Sequence, residues 1–290
     1  MAAQIVDGKK IAEEIKAEIK NEVAALKEEG IIPHLAVVLV GNDPASVIYA
    51  QTKEKLAAKL DIKYTLYHLK EETNEEEVLN LIKKLNQEQT VNGIMVEMPL
   101  PKEMNKERVL EAIDPLKDID GAHPINRGYL VSGAKGLFPA TPQACIEVLL
   151  RNKVELKGKH AVIVGRGETV GKPLVFMILA YHPTVTICHS RTIDLAYHTK
   201  QADILIAAVG KPKMITKEMI KEGAVVVDAG INQLEDGSIC GDVDFEGAKD
   251  VASLITPVPG GVGSITTSLL LKNLIRAISL QKEKGGLGRG

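Results

Sequence analysis

The chain has 290 residues, 45% of them hydrophobic and 26% charged, with a formal net charge of −2 at pH 7. This length suggests about two globular domains, and the near-neutral charge leaves no electrostatic footprint for nucleic acid. Six Tyr, three Phe and no Trp make no base-stacking platform, Met1–Lys10 lacks the apolar core of a secretory signal, and no apolar run reaches the ~18 residues of a membrane span, so a cytoplasmic protein engaging neither nucleic acid nor membrane is expected.

Ile11, Ile15, Ile19, Val23 and Leu26 recur every three to four residues and predict a helix ending at Gly30 that packs by one face. Leu35–Val40 is a continuous apolar run, as buried parallel strands are, and the turn Gly41-Asn-Asp-Pro44 leads into a helix from about Ser46 to Leu60. Lys63–Leu69 alternates as a strand, 75–88 reads as a helix, and Gly93–Met98 is a strand stopped by Pro99 and Pro101. Strand and helix alternate, which predicts a parallel sheet. Residues 118–142 lose this periodicity in a Gly- and Pro-rich stretch that marks the domain junction, and Thr141-Pro142 opens a helix to about Arg151. Strands are predicted at 160–164, 184–188, 203–208, 224–228 and 253–256, then a helix at about 265–282. No solenoid repeat is present. The expected division is 1–145 plus the helix at about 270–284, then 146–269, with 285–290 a disordered tail.

The richest stretch is Ala161-Val-Ile-Val-Gly165-Arg-Gly167-Glu-Thr-Val-Gly171-Lys-Pro173. An apolar strand breaks at glycines and resumes as a helix, the arrangement in which a backbone turn and a helix N-terminus hold a pyrophosphate. The spacing is Gly-x-Gly-x-x-x-Gly, one residue longer than the usual dinucleotide fingerprint, so a plain structural turn also fits. A phosphate-binding P-loop does not, because the glycine spacing is wrong and Pro173 replaces the hydroxyl after Lys172. About 20 residues on, Ser190 and Arg191 stand where an NAD site places a carboxylate, which favours NADP over NAD, with Arg166 a second cation for a ribose phosphate. A solvated turn is the plainer reading of Ser190 and Arg191 taken alone.

Tyr49 and Lys53 lie four apart on one predicted helix face, where Lys can transfer protons and Tyr can stack on a planar substrate. Alone, the pair reads more simply as an amphipathic surface. Glu97 sits at the carboxyl end of an apolar strand, where open sheets bind ligands, and wants a partner such as Lys53 unless it has reached solvent. Asp118 and Asp120 lie in the irregular segment that could reach the same place. The loop 257–263, with two prolines and three glycines, suits either a ligand-lining loop or a rigid turn. Cys145, Cys188 and Cys240 and the seven histidines fall in no metal-ligand spacing, so reduced thiols and no metal are expected.

Together these motifs resemble the bifunctional methylenetetrahydrofolate dehydrogenase/cyclohydrolase family over nearly the whole chain: Val40–Lys53, Gly93–Pro101, Lys117–Gly121, Pro139–Pro142, Gly165–Pro173 and Thr256–Gly263. The resemblance implies two open α/β domains with a cleft between them, the first holding folate and the second a Rossmann-like domain holding NADP, with NAD a second option. It implies a homodimer built through the cofactor domain, tetrahydrofolate derivatives as substrates, and a place in one-carbon metabolism. It implies oxidation of 5,10-methylenetetrahydrofolate followed by hydrolysis of the methenyl cation to 10-formyltetrahydrofolate. By the same resemblance, Lys53 transfers protons in the hydrolysis, Tyr49 stacks on substrate, Asp120 bonds the pterin, and Glu97 lies beside the lysine with Val96 and Met98. Pro259, Gly260, Gly261, Val262, Gly263, Thr266 and Thr267 would contact folate. Gly165, Arg166, Gly167, Val170, Gly171, Ser190, Arg191 and Ile231 would contact NADP.

Three residues depart from the family pattern. Glu97 replaces the usual Gln, and a carboxylate beside Lys53 is expected to favour its ammonium form and weaken hydrolysis relative to oxidation. Gly167 replaces a common Ser near the cofactor, and Ser264 replaces the usual Pro, which is expected to loosen the folate loop. Rival readings are a dehydrogenase with little cyclohydrolase activity, a non-catalytic NADP- or folate-binding regulator, and a shikimate-type dehydrogenase, which would leave the folate-side motifs unexplained.

Overall fold

The computed structural model describes residues 3–285; the expected disordered tail lies outside them except for Gly285. In chain order the elements begin β1 (Gln4–Ile5), α1 (Gly8–Glu28), β2 (His34–Val40), α2 (Pro44–Lys59), β3 (Lys63–Leu69), α3 (Glu75–Gln87), β4 (Gly93–Val96) and α4 (Lys106–Glu111). They continue α5 (Pro124–Ser132), α6 (Ala140–Arg151), β5 (His160–Val164), α7 (Gly171–Leu179), β6 (Thr184–Cys188), α8 (Leu195–Thr199), β7 (Ile204–Ala207) and β8 (Val225–Asp228). A short hairpin, β9 (Asn232–Gln233) with β10 (Ile239–Cys240), then precedes α9 (Phe245–Ala248), β11 (Leu254–Ile255) and α10 (Gly263–Glu283).

The chain divides into two compact units: Ile15–Phe138 with the chain from Leu270 on, and the first 14 residues with Pro139–Leu269. We call them the lysine unit and the glycine unit after Lys53 and Gly165. In the lysine unit a parallel sheet runs β3-β2-β4. Every residue of β2 is buried, as its unbroken apolar run requires of a strand covered on both faces. One face packs Ala36, Val38 and Val40 with Ile94 and Val96 against Val78, Ile82 and Leu85 of α3. In the glycine unit six strands run β1-β11-β8-β7-β5-β6, all parallel, with Val162, Leu205, Val226 and Ile255 in one core.

The division differs from the expected one at its ends. The first residues belong to the glycine unit because β1 pairs with β11 and Gly8 donates its N–H to Gly260 O at 3.0 Å. A Cβ on Gly8 would stand 2.2 Å from Gly261 O, so only glycine permits this approach. The junction falls at Pro139, before α6, rather than at 146, and the boundaries cut through α1 and α10. The stretch expected to be irregular also contains a helix, α5. Pro124 opens it, His123 Nδ1 accepts from Ile125 N at 3.0 Å, and Gly133 closes it at φ +71°.

Candidate active site

In the lysine unit, β2 has β3 on one side and β4 on the other, so the strand order reverses at the β2/β4 boundary. Ligand sites of open α/β sheets lie outside the carboxyl ends of the strands at such a boundary. Past β2, Gly41 takes φ +81°, Asp43 caps α2 by accepting from Ser46 N at 2.9 Å, and Pro44 presets the first turn. Ser46 Oγ also lies 2.9 Å from Met98 O, which ties the start of α2 to the chain leaving β4. The peptide bond Met98–Pro99 is cis.

That scaffold brings Lys53 Nζ to 2.7 Å from Glu97 Oε1, with the two residues 8% and 4% exposed. Glu97 has therefore not reached solvent; it forms a buried ion pair with the lysine one turn after Tyr49. Removing one partner of such a pair leaves an uncompensated buried charge, which typically costs about 3–5 kcal/mol. Lys53 Nζ stands 5.8 Å from the centroid of the Tyr49 ring, whose residue is 58% exposed and open to stacking.

Asp118 and Asp120 part ways. Asp118 is buried and accepts from Ala122 N at 3.2 Å, His123 N at 2.8 Å and Asn126 Nδ2 at 2.9 Å, so it organises the turn into α5. Asp120 is only partly buried by residue, yet its carboxyl is desolvated, and this, with the Asp118 and Glu97 charges against the opposing Lys53, pushes its pKa up to about 6. It shares the electrostatic neighbourhood of the ion pair. Lys117, unassigned by sequence reasoning, is buried with Nζ donating to Leu85 O, Asn86 O and Glu88 O at 3.0, 2.8 and 2.9 Å. It caps the carboxyl end of α3 with three charge-assisted bonds, and burial lowers its pKa against the nearby Asp114 and Glu88 charges. The same segment is fastened from α10, where Asn273 donates to Ile119 O and Phe138 O at 2.7 Å and Gln281 donates to Asn92 O and Leu116 O at 2.8 Å.

In the glycine unit the strand order reverses between β5 and β7, and the glycine cluster leaves β5 there. Gly165 takes φ +122°, and a Cβ on it would stand 2.0 Å from Ala208 O beyond β7. A Cβ on Gly171 would stand 2.1 Å from Gly165 O, so both are required by the turn, whereas Gly167 faces open space. Val170 precedes α7 with no side-chain cap, leaving a helix N-terminus that suits an anion. Arg166, Ser190 and Arg191 are exposed, and Ile231 is 60% exposed. The 189–192 turn is ordered by His189 N donating to Thr192 Oγ1 at 2.8 Å and Arg191 N to His189 Nδ1 at 3.1 Å, so the solvated-turn geometry and presentation of two polar side chains coexist.

A model of the catalytic domain of tetrahydrofolate dehydrogenase/cyclohydrolase matches residues 6–120, and one of the NAD(P)-binding domain of the same enzymes matches residues 139–282. The chain belongs to the tetrahydrofolate dehydrogenase/cyclohydrolase family. It is 59% identical over 282 residues to the bifunctional protein FolD of Pelotomaculum thermopropionicum, covering 97% of this chain and 99% of that one. The crystal structure of bifunctional FolD from Campylobacter jejuni is 44% identical with a TM-score of 0.94, covering 97% of this chain and all (100%) of that chain. The structure of Trypanosoma brucei FolD complexed with NADP cofactor and an inhibitor is 34% identical with a TM-score of 0.90, covering 97% and 99%.

Within this member of the tetrahydrofolate dehydrogenase/cyclohydrolase family, Tyr49, Lys53, Val96, Glu97, Met98 and Asp120 fall in the lysine unit, and the segment from Pro259 to Thr267 falls in the glycine unit. There Gly260 takes φ +106° and a Cβ on Gly261 would stand 2.4 Å from Pro257 O, so both glycines make a tight turn. Val262 is buried, while Pro259 and Gly263 are exposed. Ser264 donates its N–H to Gly261 O at 3.1 Å, a bond a proline lacks, so the loop gains a tie where loosening was expected. Among the described residues no helix is long and apolar enough to cross a membrane.

Proposed function

We infer that the chain oxidises 5,10-methylenetetrahydrofolate with NADP and hydrolyses the resulting 5,10-methenyltetrahydrofolate to 10-formyltetrahydrofolate. Both family domains are matched, over residues 6–120 and 139–282, and the buried Lys53–Glu97 pair beside Tyr49 is the observation that carries the chemistry. Gly165 and Gly171 leave no room for a Cβ, and the uncapped start of α7 with Arg166, Ser190 and Arg191 fits a phosphorylated dinucleotide. NADP, when bound, supplies the acceptor for the hydride lost by the substrate methylene.

The protein's own work in the hydrolysis is proton handling. Water adding to the methenyl cation gives up both of its protons as it becomes the formyl oxygen: one ends on the ring nitrogen whose bond to that carbon breaks, and the other is released to solvent. Lys53 is the group on the α2 face that can carry one of these protons from water to nitrogen, accepting it as the neutral amine, outside its ion pair with Glu97. Tyr49 offers an exposed ring for the pterin or its aryl extension, and Asp120 offers a carboxylate to pterin N–H donors once ionised. The backbone of Pro259–Thr267 and residues Val96 and Met98 complete the proposed folate contacts; Gly167, Val170 and Ile231 complete those to NADP. The test is twofold: loss of methenyl absorbance without NADP, and NADP reduction by 5,10-methylenetetrahydrofolate. A protein supporting neither refutes the reading.

The enzyme is further proposed to act in the cytoplasm as a homodimer through the glycine unit. β6 is an edge strand of that sheet. On β6, on the helices α7 and α8 that contact it and on the chain next to them, Phe176, Leu179, Tyr181, Ile187, Ile193 and Tyr197 are 36–88% exposed, apolar side chains that a second copy would cover. Ile187→Lys should convert a dimer to a monomer in sedimentation; an unchanged mass would rule out this face.

A further inference from the structure

Asp242 follows β10 and takes no part in the chemistry described above, yet it is 0% exposed. Its carboxylate accepts from Val209 N at 2.6 Å, Gly210 N at 3.0 Å, Lys211 N at 2.9 Å and Asn232 Nδ2 at 2.9 Å. All four donors are neutral N–H groups. The first three belong to the chain just leaving β7 and the last to the chain just leaving β8, so one side chain holds both loops at the carboxyl edge of the parallel sheet.

A second carboxylate backs the first. Asp228, 2% exposed, accepts from Asp242 N at 3.1 Å, Gly230 N at 2.9 Å and Val243 N at 2.8 Å. Glycines make both approaches feasible: a Cβ on Gly230 would stand 2.3 Å from Asp242 Cγ, and one on Gly241 would stand 1.9 Å from Asp228 Oδ2. Of the loops so held, the one after β7 meets the glycine turn, since a Cβ on Gly165 would stand 2.0 Å from Ala208 O. The one after β8, with Ile231 60% exposed, leaves the same carboxyl edge of the sheet next to it. Burying a carboxylate costs several kcal/mol unless its lone pairs are filled, and here the filling groups are the loops themselves. The carboxylate and the loop conformation therefore stabilise one another.

We propose that Asp242 is a positioning residue for NADP: by fixing 209–211 and 230–232 it presets the backbone against which the cofactor lies. The proposal rests on the NADP reading above and extends it to a residue that touches no ligand. A dinucleotide binding to a variant without this anchor must order both loops itself, and its affinity falls accordingly.

The test uses the full chain with Asp242→Asn, whose amide turns a donor toward N–H groups, and Asn232→Ala, which removes one bond and spares the carboxylate. NADP binding is measured by calorimetry, loop order by amide exchange, and methenyltetrahydrofolate hydrolysis is run without NADP as the reporter of the lysine unit. For a folded Asp242→Asn protein we expect an NADP Kd raised about tenfold or more, faster exchange at 208–212 and 229–233, and hydrolysis within about twofold of the parent. Asn232→Ala should raise Kd by about two- to fivefold. Unchanged Kd and exchange in a folded Asp242→Asn, or in Asn232→Ala should the first variant not fold, overturn the proposal. A parent protein that binds no NADP overturns instead the functional reading, and the proposal with it.

Discussion

The two units bury charge in opposite ways. The lysine unit sets a cation against an anion, Lys53 on Glu97 at 2.7 Å. The glycine unit buries Asp228 and Asp242 with backbone and amide N–H groups as their donors, and burial pushes Asp228 up to about 6 against those donors. A lysine held by a single carboxylate can leave it and carry a proton to or from a substrate. A carboxylate saturated by backbone N–H groups has its lone pairs committed and can only hold shape. The contrast matches the chemistry: the hydrolytic half of the reaction needs proton transfer, and the oxidative half needs a bound, oriented cofactor.

The largest effect is expected at Lys53. Lys53→Met should cut methenyl hydrolysis by about 10²–10⁴-fold, the usual worth of a proton-transfer group. It should also cost about 3–5 kcal/mol in chemical denaturation by stranding Glu97. Hydrolysis retained within tenfold would remove Lys53 from the chemistry. On the other side, Gly165→Ala forces a Cβ to 2.0 Å from Ala208 O at φ +122°. NADP binding in calorimetry should fall by about two orders of magnitude, with a stability loss of about 1–3 kcal/mol, while hydrolysis persists. Equal damage to both activities would show that the units do not divide the work in this way.

Asp120 sharpens the contrast through pH. Its carboxyl titrates at about 6 in the folded protein, above its ordinary value of 3.8. Folding raises this pKa, so its contribution to stability is full below the ordinary carboxylate range and is lost as pH rises through about 6. If the ionised form bonds the pterin, kcat/KM for methenyltetrahydrofolate climbs through the same window. Asp120→Asn should lower it by about 10–100-fold and flatten that limb, and an unchanged acidic limb would assign it to another group. The smallest effect is expected at Glu97. Glu97→Gln keeps an acceptor for Lys53 but removes the charge, and should raise methenyl hydrolysis by about two- to tenfold; no change would end that expectation.

Elements whose signal is local were legible in the sequence. β3, β5 and β6 fall at 63–69, 160–164 and 184–188 as their apolar runs indicate, and the Tyr49, Lys53 and Glu97 constellation could be assembled from helical spacing and a strand end. What escaped depends on distant partners. β1 is two residues long and exists because β11 lies beside it. Asp118 and Asp120 look alike in Lys-Asp-Ile-Asp, and only the donors at 122, 123 and 126 separate a structural carboxylate from one near the ion pair. Asp242 carried a faint local sign, a glycine just before it, but its partners lie 10–33 residues away. α5 could have been found, since Pro124 and Gly133 are ordinary start and stop signals around a weakly periodic stretch.

One cuvette separates the two activities. The protein is mixed with 5,10-methylenetetrahydrofolate and NADP, and NADPH and the methenyl chromophore are followed separately. Two activities on one chain predict NADPH growth while methenyltetrahydrofolate stays low and 10-formyltetrahydrofolate accumulates. NADPH growth matched mole for mole by lasting methenyl accumulation, or no NADPH at all, would contradict it.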